Sequence, residues 1–216
     1  MKLTQTFKVL GLIFLGFVLG IVATMMGLGF FLRHKLSKAV FNTAAGPEVA
    51  DVVDHKRRLV KEREELAKAN DQYRRWLAMT DLALLEVEHG SLVNAEEYGR
   101  ELLRIAPAYK DDWNYGNAIH KANLALGHVA LRNGKLSEAK MFLIEAGKTP
   151  GSPQLNSFGP NMTLAKELFN RGEKEVVLQY FDECDRFWEM GHDDLRNWKA
   201  LVKDGIEPDF RANLSY

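Results

Sequence analysis

Cysteine is almost absent from this 216-residue chain, and its scarcity excludes two kinds of structural support. The single cysteine, Cys184, has no partner for an intramolecular disulfide and cannot by itself build a zinc site. Acidic residues lie beside it in the sequence, and their charges raise rather than lower the pKa of a thiol. Cys184 is therefore predicted to be a small, buried packing residue.

The sequence also lacks the motifs that carry common enzyme chemistry. It contains no H-E-x-x-H metal pair, P-loop, G-x-G-x-x-G loop, G-x-S-x-G elbow or C-x-x-C-H haem site. The acidic runs Asp111-Asp112 and His192-Asp193-Asp194 would need ligands from elsewhere to bind a cation, and helix capping is the commoner role of such pairs. We predict that the protein is not an enzyme and needs no cofactor or metal.

Acidic residues are missing from the first 47 positions, so the chain is divided by charge. Five basic residues lie at positions 1–38, which leaves 24 basic and 29 acidic residues from Glu48 onward. A domain that binds nucleic acid normally concentrates basic charge on its surface. The acidic excess therefore argues against a nucleic-acid partner and favours a soluble domain.

The acid-free segment contains one long apolar run, residues 9–32, without charge, Asn, Gln, Pro or His. Its 24 residues would extend about 36 Å as a helix, enough to cross a hydrocarbon core of about 30 Å. A cleaved signal peptide is the alternative, but its apolar core normally has about 7–15 residues. We predict a single-pass membrane protein with a short tail at 1–8. Positive residues flank both ends of the run and favour a cytoplasmic domain only slightly.

Small residues recur on one side of the predicted transmembrane helix: Gly16, Gly20, Ala23, Thr24 and Gly27. Such residues let a second helix approach closely within lipid, where the hydrophobic effect does not drive association. The pattern predicts a packing face between transmembrane helices. Its alternative is simply the general abundance of glycine in membrane-spanning helices.

A juxtamembrane linker at 33–47 is followed by a charged segment, 48–75. Val52, Leu59, Leu66 and Tyr73 recur every seven residues, but the companion heptad positions are polar, so a two-stranded coiled coil would be weak. We predict one long amphipathic helix that either holds the domain away from the bilayer or packs on its first repeat.

From Trp76 onward, apolar residues recur every three to four positions and no strand pattern appears, which predicts an all-α fold. Short connectors separate the helices, as in helical hairpins stacked side by side. Four scattered tryptophans are predicted to anchor the core: Trp76, Trp113, Trp188 and Trp198. The predicted helices are 73–89, 92–105, 114–133, 136–147, 161–171, 174–190 and 193–203.

The domain repeats one pattern three times: a small residue, a glycine seven positions later, and a further small residue five positions after that. Small residues allow two helices to cross closely, and a glycine with φ > 0 ends the first of them. The members of the pattern are Ala83, Gly90 and Ala95; Gly127, Gly134 and Ala139; and Ala165, Gly172 and Val177.

This pattern resembles the tetratricopeptide repeat family over about residues 76–188, best in the segment 126–139. Pro107, Pro150 and Phe181 also match the family's proline and aromatic positions. The family period is about 34 residues, whereas the small residues here are separated by 44 and 38, so extra residues lie near 109–117 and 150–160. The resemblance implies an array of about three hairpins at 76–190 and a capping helix with a tail at 191–216.

The resemblance further implies a protein-binding groove lined by the first helix of each hairpin. Its positions in this chain are Leu77, Thr80, Leu84, Val87, Glu88, Lys121, Leu124, His128, Leu131, Arg132, Met162, Lys166, Phe169 and Asn170. Lys121, Arg132 and Lys166 would attract an acidic segment through charge-assisted hydrogen bonds. The alternative is that these are ordinary solvated side chains beside a packed core.

The long connection at 149–161 places Leu155 and Phe158 either at a rim, where an apolar pair could dock a partner, or folded over the core.

Together these features favour a membrane-anchored scaffold that binds another protein. A structural accessory subunit of a larger membrane complex is the second hypothesis, and a membrane-tethered enzyme is the third.

Overall fold

The computed structural model describes residues 53–214, and from His55 onward these belong to one compact unit. This part of the chain is all-helical and contains no strand, as predicted. None of its helices is long and apolar enough to cross a membrane. The predicted transmembrane segment 9–32 lies outside the described residues, together with its packing face: Gly16, Gly20, Ala23, Thr24 and Gly27.

Nine α-helices follow one another along the described chain, joined by short turns and three 3-10 segments. We number them α1 (53–68), α2 (Gln72–His89), α3 (Leu92–Ile105), α4 (Tyr115–Arg132), α5 (Leu136–Gly147), α6 (Pro153–Phe158), α7 (Thr163–Phe169), α8 (Lys174–Cys184) and α9 (His192–Lys203). The 3-10 segments are Ala106–Tyr109, Glu189–Gly191 and Arg211–Leu214. The bounds of α3 and α5 coincide with the predicted ones, whereas α7 and α8 end earlier than predicted.

Consecutive helices pair into hairpins, and the hairpins pack side by side. α2 packs on α3, α4 on α5 and α7 on α8. α4 also contacts α2 and α3, while α5 contacts α7 and α8, so neighbouring hairpins share one core. α9 closes the series by packing on α8. Three of the four tryptophans lie in this core; Trp113 does not, because 55% of it is exposed.

Two of the three repeat glycines end their helices as the pattern predicts. Gly134 and Gly172 have φ of +72° and +86°, in the left-handed region that favours glycine. Gly90 differs, with φ −128°. A Cβ at Gly90 would lie 2.0 Å from Oε2 of Glu86, so a larger residue there would displace that carboxylate.

The small residues of the repeat are all buried and allow close contact between hairpins. Gly127 shows the reason most clearly, since a Cβ there would lie 2.3 Å from Cδ2 of Leu164 in α7. The small residues recur at this spacing because neighbouring hairpins pack too closely there for larger side chains.

Helix α1 ends at residue 68, before the end of the predicted segment 48–75, and is separate from α2. Asp71 interrupts the helical pattern because its side chain accepts a hydrogen bond from the Arg74 N–H at 2.8 Å and so caps α2. Leu59 and Leu66 are buried, while Arg63 forms an ion pair with Glu86 of α2. α1 therefore packs on the first hairpin, one of the two arrangements that the heptad pattern left open.

Candidate partner-binding cleft

A cleft of about 310 Å³ opens between α1, α4 and α6. It is the place where several residues singled out in the sequence come together. Its lining consists of Arg58, Asn117, His120, Lys121, Gln154, Leu155, Phe158, Gly159 and Asn161. Such a volume lies at the lower end of the roughly 300–1,000 Å³ typical of small-ligand sites.

One wall of the cleft is α6, a short helix inside the connection that was predicted to be a loop. Ser152 caps it by accepting a hydrogen bond from the Leu155 N–H at 3.0 Å, and Pro153 occupies its first turn. This Ser-Pro pair was the sequence signal for a helix start that the loop prediction missed. Leu155 is only 4% exposed and packs into the core, whereas Phe158 is 67% exposed.

A polar network holds the connection before α6 against the beginning of α4. Asn117 Nδ2 donates to Gln154 Oε1 at 3.1 Å, and Ser152 Oγ donates to Asn117 Oδ1 at 2.6 Å. Thr149 Oγ1 donates to the Gly116 carbonyl at 2.8 Å. Because these bonds join residues from both sides, the wall formed by α6 is held in place on α4.

α4 and this connection approach closely at Gly116, so we predict that Gly116→Ala destabilises the protein. A Cβ at Gly116 would lie 1.8 Å from the Gly151 carbonyl oxygen, which is backbone and cannot rotate away. Such overpacking typically costs about 1–3 kcal/mol. Thermal unfolding of the full chain measures this effect, and a loss below about 0.5 kcal/mol would contradict so close an approach of the two backbones.

His120 lies beneath the cleft and bridges two elements. Its Nδ1 is 3.0 Å from the Ala146 carbonyl and its Nε2 accepts a hydrogen bond from the Asn161 N–H at 3.1 Å, so the proton of the neutral ring lies on Nδ1. Burial lowers the pKa of His120 to about 4. The ring is therefore neutral at pH 7, and its hydrogen bond to Asn161 positions the 159–161 segment. The sequence analysis considered the histidines only as metal ligands and did not predict this role.

Two cations of the cleft share a single carboxylate. Lys121 Nζ donates to Asp81 Oδ1 at 2.8 Å, and Arg58 Nη2 lies 3.9 Å from the same oxygen. No acidic residue belongs to the described lining of the cleft. Both charged side chains of the cleft lining are therefore cations, while the acidic residues Asp81 and Glu88 line an adjoining pocket.

The other two predicted cations lie elsewhere and are paired inside the domain. Arg132 forms a two-pronged ion pair with Glu167, with Nη2 2.9 Å from Oε1, and Lys166 lies 3.0 Å from Glu207. Burial opposes ionisation of Glu167, but Arg132 and His128 outweigh it and lower its pKa to about 2. Of the three cations predicted to concentrate positive charge, only Lys121 lines the cleft, where Arg58 joins it from α1. Lys121 is itself paired with Asp81.

Most of the other predicted groove residues are used within the domain. Thr80, Leu84, Leu124, His128, Leu131 and Met162 are buried. Thr80 donates to the Trp76 carbonyl at 2.9 Å, and His128 Nε2 lies 2.9 Å from Thr163 Oγ1. Glu88 and Asn170 are exposed, but neither belongs to the cleft.

Helix α1 covers much of the surface assigned to the first hairpin. Leu77 lines a pocket shared with Glu62 and Glu65 of α1, and Leu84 and Glu88 line another that is shared with residues 55 and 58 of α1. The sequence could not show this, because the pairing of α1 with α2 depends on tertiary packing. The open part of the predicted groove is therefore the cleft beside α4 and α6.

The described residues contain no group of three His, Cys, Asp or Glu side chains that could hold a metal ion. Cys184 is buried, and burial raises the pKa of its thiol well above the ordinary value. A thiol in this state is a packing group rather than a nucleophile.

No family model, curated protein or solved structure matches this chain. Its class within residues 53–214 is therefore defined by geometry alone: an all-helical protein built from packed helical hairpins.

Proposed function

We propose that this protein is a membrane-anchored scaffold that holds a partner protein in the cleft between α1, α4 and α6. Residues 9–32 supply the anchor, and the hairpins act as a tetratricopeptide-like array. The observation that carries the proposal is the cleft itself, with an exposed Phe158 at its edge and Lys121 and Arg58 beside it. Aromatic and cationic side chains around a pocket are typical of interface hot spots.

Several internal features support binding rather than catalysis at this site. The buried His120 has both ring nitrogens engaged with backbone groups, and Asn117 is engaged with Gln154 and Ser152. These polar groups hold the walls of the cleft and are not poised as an acid, base or nucleophile. A preformed wall reduces the ordering cost of binding a partner.

To test the scaffold, Phe158→Ser is compared with wild type by quantitative co-purification after crosslinking in the native membrane. Phe158 is 67% exposed, and removal of a hot-spot side chain is expected to lower partner recovery at least about tenfold. Thermal unfolding of the variant checks that the fold is retained. Val93→Ser is the matched control, because Val93 is 74% exposed on α3 and lies outside the cleft. Equal recovery with Phe158→Ser and wild type would refute the cleft as the partner site.

A structural accessory subunit of a larger membrane complex is the second candidate. Large apolar side chains outside the cleft favour it, namely Val93, Trp113 and Met190, each more than half exposed. A permanent subunit contacts its neighbours over a broad surface. In the same co-purification, loss of recovery with Val93→Ser or Trp113→Ser but not with Phe158→Ser would select this function.

A further inference from the structure

We infer that the partner segment carries a large apolar side chain next to a carboxylate, the first entering the cleft and the second meeting Lys121 and Arg58. This inference rests on the proposed scaffold function and adds the chemistry of its partner. It depends on three properties of the cleft: its size, its apolar edge and the two cations in its lining.

The size of the cleft limits which part of a partner can enter it. A volume of about 310 Å³ accommodates an anchoring side chain and its neighbouring backbone, but not the apolar face of a whole helix. Leu155 forms a buried apolar wall, and Phe158 extends the apolar surface outward at the edge. An apolar anchor gains contact with both residues.

The charge beside the cleft sets the second requirement. Lys121 and Arg58 line the cleft, and the described lining contains no acidic residue. Asp81 and Glu88 line an adjoining pocket together with these two cations, and Lys121 bonds to Asp81 there. An additional carboxylate, supplied by a partner, would pair with Arg58, whose nitrogen is 3.9 Å from Asp81 and makes no close bond to it. Such charge-assisted hydrogen bonds are stronger than neutral ones and strengthen further as binding excludes water.

The side-chain amides that line the cleft do not favour any other kind of partner group, because they are already hydrogen-bonded within the protein. Asn117 and Gln154 are bonded to each other at 3.1 Å, and Ser152 occupies the amide oxygen of Asn117. A partner that took these groups would have to break the network that holds α6. Specificity therefore comes from the apolar edge and the two cations.

A protein segment is favoured over an anionic lipid headgroup as the source of the negative charge. The chain from Glu48 onward carries 29 acidic and 24 basic residues, so an anionic membrane surface repels it as a whole. A single carboxylate on a peptide meets the two local cations without bringing this surface against charged lipid.

The test uses the full chain in phosphatidylcholine nanodiscs and a displayed library of random 12-residue peptides, with empty nanodiscs for negative selection. Enriched peptides are expected to contain Asp or Glu within two positions of a large apolar residue. Their affinity should fall at least about tenfold with Lys121→Met and with Arg58→Met. Arg100→Met is the matched control, because Arg100 is an exposed α3 residue paired with Glu96 outside the cleft.

Enrichment of basic or purely apolar peptides, or no enrichment, would overturn the inference. So would anionic lipid that co-purifies with wild type and is lost with Lys121→Met. The two proposals fail separately: loss of the native partner with Phe158→Ser but not with Lys121→Met or Arg58→Met leaves the scaffold function standing and removes the acidic partner. Unchanged recovery with Phe158→Ser removes the scaffold site itself.

Discussion

Acidification from pH 6.5 to pH 4 is expected to lower the free energy of unfolding by about 3 kcal/mol through His120 alone. Burial lowers the pKa of this residue from 6.5 to about 4, so the unfolded chain binds a proton over this range and the folded chain does not. The contribution is therefore complete above pH 6.5 and is lost as the pH falls towards 4. Below that value both states are protonated, and His120 adds no further loss.

The measurement compares the pH dependence of unfolding free energy for wild type and His120→Gln, both as full chains in the same detergent. Glutamine keeps one donor and one acceptor for the Ala146 carbonyl and the Asn161 N–H but does not titrate in this range. The other groups that titrate are common to both proteins, so the difference in slope isolates His120. Parallel pH curves for the two proteins would show that His120 is not held neutral.

Removal of the Arg63 guanidinium is expected to destabilise the protein by about 2–3 kcal/mol and to loosen α1. Glu86 is fully buried and accepts two hydrogen bonds from Arg63, at 2.7 and 2.6 Å, together with one from the Ser91 N–H at 2.8 Å. Burial opposes its ionisation, but these donors outweigh that effect and lower its pKa. Arg63→Met would leave a buried carboxylate without its counter-charge; the expected loss is below that for a wholly buried pair because the Arg63 side chain is 42% exposed.

The double variant Arg63→Met/Glu86→Gln separates the two possible causes of that loss. If the buried charge is responsible, the double variant recovers at least half of the stability lost by Arg63→Met. Hydrogen exchange should report faster exchange at 53–68 in the single variant, since the ion pair joins α1 to α2. Arg104→Met is the control, because Arg104 pairs with Glu101 on the exposed face of one helix. A single variant as stable as this control would show that the buried pair does not hold α1.

Sequence patterns predicted the helical hairpins well because the interactions that start and end these helices join residues close together in the sequence. The three-to-four-residue periodicity placed α3 and α5 at their observed bounds, and Gly134 and Gly172 end helices where a left-handed residue is needed. The N–H of the residue after each glycine bonds back to a carbonyl of the preceding helix, Lys135 to Ala130 and Glu173 to Leu168. These contacts span five residues, so sequence spacing alone implies them.

The candidate site was predicted only in part, since its contacts join distant residues. Lys121 and Phe158 were singled out from the sequence, but Arg58 and His120 were not. A residue's identity shows that it can form an ion pair or enter a core, whereas the neighbour that it meets depends on how whole helices pack. Gly90 illustrates the difference. Its position in the repeat implied a positive φ, but its φ is negative, and a Cβ there would instead meet the carboxylate of Glu86, which is why a glycine suits this position.

The sequence by itself determined the helical class of the described domain, the division of charge along the chain and most helix limits, because periodicity, capping and composition act over a few residues. Tertiary structure alone decided that α1 covers the first hairpin and that a cleft opens beside α4. The deciding contacts are Arg63–Glu86, Lys121–Asp81 and His120–Asn161, which are 23, 40 and 41 residues apart. Many pairings are compatible with the same residue types at such separations, and only the packed core selects among them.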